Sequence, residues 1–464
     1  MQTVEWNMVA DTRVFPDRIR NRKVSVLGLA RSGIAVCEML VAGGAQVLAS
    51  DIRDDEETRA AAIGLRAIGV SVELGSHSED ALLRADFMIP SPGLSPSIPI
   101  LVHARECGIP IFSEIEVAFW LFQGDVLALT GTNGKTTTAT LLHRMLNQGG
   151  LDARLAGNVG LAFSAVATRG SGPMVLEVSS FQLEFVETFR PAVSCLLNVA
   201  PDHLDRHGSI DDYAEIKYRI ALNQGDGDTV VLNADDSRVR RLPVPSGARA
   251  LFYSIRQFLP EGVFCEDGRL VYRVDGREGD FIRLEELKIP GWHNRANAAA
   301  ASAMALAYGV DPEKIGAALR EFEGVAHRIE PLGTYSGIRV YNDSKATNVG
   351  ATRVALEAVP GPIVLLVGGR HKDDDPHMLD TLIQEHVRVV VTFGESADRF
   401  AAAWKNRTSL SVKPDLKEAV KQAFELANAG DAILLSPACA SFDQFNDFED
   451  RGDSFKRYVK EITS

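Results

Sequence analysis

From Val24 onward, short apolar runs alternate with stretches whose apolar positions recur every three to four residues. VSVL (24–27), QVLAS (46–50), DFMIP (86–90) and IPIF (109–112) read as strands, with helical patterns over 33–42, 58–68 and 97–107. This alternation predicts a parallel sheet covered by helices. A second series opens near Gly124 with VLAL (126–129), MVLEVS (174–179), VSCLLNV (193–199) and DTVVLN (228–233). Between 250 and 288 the pattern shortens to hairpin-like strands, with turn signals at Asp267-Gly268 and Asp275-Gly276. An alanine-rich helix over about 294–308 follows. A third series starts near His327: IRVYND (338–343), PIVLLVG (362–368), RVVVTFG (388–394) and DAILLSP (431–437). The expected class is α/β in three domains, 23–121, 122–326 and 327–464, the middle one carrying a small extra β sheet. Residues 1–22 fit no element and are expected to form a loosely packed arm.

The length of 464 residues agrees with several cores rather than one. A net charge of -13 argues against binding nucleic acid or an anionic membrane, which needs a basic face. Small anionic substrates remain open, because a few cations or a metal reverse the potential locally. Cys37, Cys107, Cys195, Cys265 and Cys439 are odd in number and contain no CxxC pair. That pattern fits reduced thiols, not a disulfide framework or a zinc site. Glu5 and Asp11 interrupt the start of the chain, and the apolar window 298–307 is too short to span a bilayer. A cytoplasmic protein without membrane insertion is expected.

The most specific chemistry lies in LTGTNGKTTTAT (129–140), between a strand pattern and a helix pattern. Backbone N–H groups of Gly131, Thr132, Asn133 and Gly134 would face phosphate oxygens. Lys135 adds a mobile positive charge, and the Thr136 hydroxyl, followed by Thr137, can ligate Mg²⁺. The spacing departs from G-x-x-x-x-G-K-[ST], because Leu129 stands where the first glycine belongs. A nucleoside triphosphate site is the reading; a solvated Gly/Thr turn is its bland rival. VSVLGLARSGIAV (24–36) resembles a dinucleotide fingerprint, but Ala30 replaces the middle glycine between Gly28 and Gly33. With Asp51 ending the next strand, it reads as a dehydrogenase module, a structural tight turn, or a loop for uridine diphosphate. Further along, Glu177 ends an apolar strand, and LLNVAPDHLDRH (196–207) offers Asp202, His203, Asp205 and His207 beside it. Lys217 follows on a helix, and Asn294 and Asn297 share a helical face.

Taken together, these segments resemble the Mur ligase family of ATP-dependent amino-acid-adding enzymes in peptidoglycan synthesis, in order from about residue 23 onward. The shortened loop TGTNGKTT is the family's own form. YNDSKATNVG (341–350), LSPACASFDQF (435–445) and FEDRGDSF (448–455) resemble the D-glutamate-adding branch. The resemblance implies a Rossmann-like UDP-binding first domain, a central P-loop ATPase-type domain and a Rossmann-like amino-acid-binding third domain. It implies ATP and two Mg²⁺ ions as cofactors, with UDP-N-acetylmuramoyl-L-alanine and D-glutamate as substrates of a monomer. Lys135, His203 and Lys217 would be catalytic. Glu177, His203, Thr136 and a carbamylated Lys217 would hold Mg²⁺. Asn294, Asn297, Arg328, Asp343 and Lys345 would serve the nucleotide. Thr347, Lys372, Ser441 and Phe442 would hold D-glutamate, and Asn158 and Ser179 would face the muramoyl group. Arg31, Ser32, Asp51 and Arg53 would contact uridine diphosphate, although Asp51-Ile52-Arg53 stands where the family has Asp-Thr-Arg. His371 before Lys372 is a second departure.

Rivals remain at this level: another Mur-type or folylpolyglutamate-type ligase, and a nucleotide-switched regulatory module.

Overall fold

The computed structural model describes residues 16–371 and 374–464. The first sheet is parallel, β1 (Lys23–Leu27), β2 (Gln46–Asp51), β3 (Ser71–Leu74) and β4 (Phe87–Pro90), in the order β3-β2-β1-β4. Apolar residues fill the strands because helices cover the sheet. The expected strand at 109–112 reduces to one bridge, Met88 to Ile111. Strand β3 was hidden from the pattern because its residues are exposed or half-buried. Of the expected N-terminal arm, residues 1–15 lie outside the described residues. Its last part is not loose: Ile19 is fully buried in the first core, and the Arg18 guanidinium lies over the Trp120 ring.

The central sheet contains β5 (Val126–Thr130), β6 (Arg154–Gly157), β7 (Met174–Glu177), β8 (Val193–Leu196) and β9 (Thr229–Asn233). It continues through β10 (Arg249–Ser254), β11 (Gly262–Glu266), β12 (Arg269–Val274) and β13 (Arg277–Arg283). The order β13-β12-β11-β10-β9-β8-β5-β7-β6 corrects one expectation. The anticipated small extra sheet is joined edge to edge to the central one, because β10 pairs in parallel with both β9 and β11. The turns at Asp267-Gly268 and Asp275-Gly276 do join antiparallel strands, and all four residues have positive φ. That is the geometry a two-residue hairpin turn of matching twist needs.

The third sheet comprises β14 (Glu330–Tyr335), β15 (Ile338–Asn342), β16 (Ile363–Gly368), β17 (Val387–Phe393), β18 (Ser409–Lys413) and β19 (Ala432–Leu435). Its order is β14-β15-β19-β16-β17-β18, parallel except for the edge strand β14. The described chain forms two compact units. One holds the residues up to Leu284 with Ala296–Leu319, and so carries the first two sheets. The other holds Glu285–Arg295 with Arg320–Ser464. No helix among the described residues is long and apolar enough to cross a membrane.

Candidate active site

In an open α/β sheet, groups for a ligand gather at the carboxyl ends of the strands. In the central sheet three neighbours, β8, β5 and β7, end together: Leu129 of β5 pairs with Glu177 and with Cys195. The loop after β5 passes straight into the helix Lys135–Gln148, whose N-cap Gly134 has φ 85°. A Cβ at Gly134 would collide with the Asn297 amide oxygen, so only glycine lets Asn297 lie against the loop. Asn198 at the end of β8 braces the loop from the other side. Its Oδ1 accepts from Asn133 N–H at 2.9 Å, and its amide donates to the Asn133 carbonyl at 3.0 Å. Thr132 N–H donates to the Asn198 carbonyl at 3.0 Å.

Two lysines converge on one carbonyl of this loop. Lys135 Nζ donates to the oxygens of Gly131 and Thr132, each at 2.8 Å, and Lys217 Nζ donates to the Gly131 oxygen at 3.0 Å. Lys217 is 1% exposed and lies 4.4 Å above the Tyr213 ring. Burial first, then the charge of Lys135, pulls its amine down to about 6. Burial therefore favours its uncharged form near neutral pH. Glu177 is 2% exposed; its Oε1 accepts from the Asn158 amide at 2.8 Å, while Oε2 is buried without a hydrogen-bond partner. An orphaned carboxylate oxygen there fits a cation, because leaving it unpaired costs free energy. His203 adopts left-handed backbone (φ 53°) and packs on Phe181, with ring centroids 4.9 Å apart. No group of three or more His, Cys, Asp or Glu side chains placed to hold a metal ion exists among the described residues. Ser179 caps the short helix Ser180–Leu183, its Oγ accepting from Gln182 N–H.

Around the glycine turn after β1, Gly33 is required: its Cβ would collide with the Gly28 carbonyl. Asp51 braces this turn. One oxygen accepts from Leu29 N–H at 2.8 Å and the other from Arg53 N–H at 2.9 Å, with the Arg53 guanidinium at 3.2–3.3 Å. Burial works to raise the Asp51 carboxyl, but the Arg53 side chain and these N–H groups outweigh it and hold it below its usual range. Arg31 is exposed and Ser32 half-buried at the first turn of the following helix, and Ile52 is 61% exposed.

In the second unit, β15, β19 and β16 are neighbours, and Asp343, Lys345, Thr347, Ser441 and Phe442 follow the ends of β15 and β19. Asp343 is buried, accepting from Ile329 N–H at 3.1 Å and from Ser436 Oγ at 2.8 Å. Burial pushes its carboxyl up to about 7 against the pull of Ser436 and Arg328. Lys345 and Thr347 continue that loop, both half-buried. Ser441 is buried and Phe442 is 62% exposed after β19. Asn294 donates its amide to the Pro290 carbonyl at 2.7 Å. Lys372 lies outside the described residues; His371 before it lies 2.8 Å from the Arg399 guanidinium.

Sequence reasoning passed over two supports: Phe181, under His203, and Tyr213, under Lys217. Only Tyr213 left a signal, sitting four residues before Lys217 on one helix.

Residues 22–113 match the N-terminal domain of MurD-like Mur ligases, 129–305 the Mur ligase middle domain, and 327–439 the Mur ligase glutamate ligase domain. The UDP-N-acetylmuramoylalanine–D-glutamate ligase of Acidobacterium capsulatum is 40% identical over 445 residues, covering 95% of this chain and 96% of that one. The enzyme of the same name from Pelotomaculum thermopropionicum is 41% identical over 444 residues, covering 94% and 97%. Two solved structures share the fold at low identity. A pseudomurein peptide ligase type C from Methanothermus fervidus has TM-score 0.56 and 19% identity, covering 95% of this chain and 100% of its own. A MurF ligase from Thermotoga maritima in complex with ADP has TM-score 0.57 and 17% identity, covering 97% of each. The chain belongs to the Mur ligase family.

Proposed function

We propose that this protein uses ATP to join the carboxylate of UDP-N-acetylmuramoyl-L-alanine to the amine of D-glutamate, in cytoplasmic peptidoglycan precursor synthesis. The observation that carries the ATP half is the pair Lys135 and Lys217 on the Gly131 carbonyl, with the orphaned oxygen of Glu177 at the end of the neighbouring strand. The choice of D-glutamate rests on the relatives of that name, which match nearly the whole chain.

A carboxylate resists amine attack because oxide is a poor leaving group. Transfer of the γ-phosphoryl group makes an acyl phosphate; the D-glutamate amine then adds to its carbonyl, and phosphate leaves. Lys135 swings from the loop carbonyls to the transferring phosphoryl oxygens and neutralises charge as it develops. The N–H groups at the start of the helix Lys135–Gln148 hold the phosphates in place. Thr136, Glu177 and His203 would hold Mg²⁺, which when bound would supply neutralisation of phosphate charge. Lys217, uncharged at neutral pH, is suited to take up CO₂: its nitrogen lone pair attacks the carbon, a proton leaves, and a carboxylate-like carbamate results. No side chain forms a covalent bond to either substrate, so positioning and electrostatics carry the rate.

In the second unit, Arg328, Asp343 and Lys345 would serve the nucleotide, while Thr347, Lys372, Ser441 and Phe442 would bind D-glutamate. The test is an amino-acid panel with UDP-N-acetylmuramoyl-L-alanine and ATP, read as phosphate release and ligated product. D-glutamate turnover is expected; turnover of L-glutamate or meso-diaminopimelate alone rejects the proposal. In the same assay Lys217→Ala should be inactive and regain turnover with short-chain carboxylates, and full activity without them ends the carbamate reading.

A further inference from the structure

Arg451 is fully buried in the first turns of the last helix, Phe448–Thr463, and meets no carboxylate in an ion pair among the described residues. Its guanidinium reaches three loops instead. Nε donates to Ser344 Oγ at 3.0 Å, and one terminal nitrogen donates to the Ser344 carbonyl at 2.7 Å and the Cys439 carbonyl at 3.0 Å. The other terminal nitrogen is buried without a hydrogen-bond partner, against Gly369. There a Cβ would sit 3.1 Å from that nitrogen and collide with the Ala440 carbonyl, so glycine is needed for the approach. Backbone bonds between Arg370 and Ala440, 2.9 Å in each direction, close the same seam.

These loops leave the carboxyl ends of β15, β16 and β19, which are adjacent in the sheet. Ser344 lies between Asp343 and Lys345, and Cys439 lies two residues before Ser441. A planar fork with donors on both edges can tie two backbone segments at fixed separation; a lysine ammonium on a flexible stem cannot. Burying a guanidinium without a counter-charge is costly, so a purely space-filling role would be met better by an apolar side chain. Asp343 and Asp443 act on the guanidinium only at longer range, while its hydrogen bonds all go to the two loops it aligns.

We propose that Arg451 is a positioning residue that holds the nucleotide-side loop 343–347 and the amino-acid-side loop 436–442 in register, so that ATP and D-glutamate are bound as one arrangement. This rests on the functional reading given above for those two loops. Arg451 does not touch substrate; it acts through Ser344 and Cys439.

The measurement is a set of three KM values, with kcat and melting temperature, for the full chain and two variants. Arg451→Lys keeps the charge and loses the fork. KM for D-glutamate and for ATP should each rise about tenfold, the loss of one charge-assisted hydrogen bond. KM for UDP-N-acetylmuramoyl-L-alanine, whose expected contacts lie in the other compact unit, should stay within about twofold. Ser344→Ala removes the hydroxyl that accepts from Arg451, together with that hydroxyl's own bond to the Phe448 carbonyl on the same helix, and should shift the same two constants in the same direction by about threefold. It carries the comparison if Arg451→Lys does not fold. Folded variants with all three KM values unchanged, or all three raised together, overturn the proposal. Wild-type protein without D-glutamate turnover overturns the functional reading instead, and shows this before any variant is compared.

Discussion

Single residues here act against their ordinary chemistry, and burial is the reason. Lys217 and Asp343 are both pushed toward their neutral forms by desolvation, the first down to about 6 and the second up to about 7. For Asp343 the consequence for stability has a definite sign. An unfolded aspartate ionises near its ordinary value of 3.8, whereas the folded one keeps its proton until about 7. Between these values the folded state holds the extra proton, so native stability falls as pH rises, and above about 7 the loss is complete. Asp343→Asn removes that penalty. Its melting temperature should exceed that of the wild type at pH 8, with the gap closing toward pH 4; a gap independent of pH rejects the argument. Neither shift is written in the residue names. Lys217 alone reads as a solvated lysine, and only its resemblance to a family position marked it out. The sequence likewise marked Ser179 and Asp51 as substrate contacts. The structure gives them further duties, a helix cap and a brace on the glycine turn.

Elements were the most legible scale. Apolar runs located β1, β2 and β4 and the buried strands of the other two sheets, because strands covered on both faces read as unbroken apolar stretches. Exposed edge strands escaped: β3, β14 and β18 carry few buried residues and so give no run. Two glycines permit close approaches that their spacing alone did not specify. Gly33 admits the helix Arg31–Ala42 against the Gly28 carbonyl, and Gly134 admits Asn297 against the phosphate loop. Gly33→Ala should destabilise the protein by about 1–3 kcal/mol through overpacking, with KM for ATP little changed. Gly134→Ala adds a strained positive φ to a collision inside the nucleotide loop. It should raise KM for ATP by at least about tenfold with a smaller loss of melting temperature. Reversal of these two patterns would show that the loops have been assigned to the wrong jobs.

For the whole molecule, ligand binding gives the sharpest expectation. ATP with Mg²⁺ at a hundredfold above its Kd should stabilise the native state by about 2.7 kcal/mol, a rise of a few degrees in melting temperature. Lys135→Ala should abolish most of that rise while leaving the unliganded melting temperature near that of the wild type; an undiminished rise would remove Lys135 from the nucleotide site. Local patterns alone established the α/β class and the family, and picked out the loop proposed to hold phosphate. Those signals are local: a run of apolar residues, a spacing of glycines, a string of polar and small residues. Tertiary structure decided the rest. It joined β10–β13 to the central sheet, set Lys217 and Lys135 on one carbonyl, left Glu177 with an unpartnered oxygen, and buried Arg451 between loops about a hundred residues apart in sequence. Desolvation and hydrogen bonding across such separations depend on which strand ends lie side by side, and no window of sequence contains that.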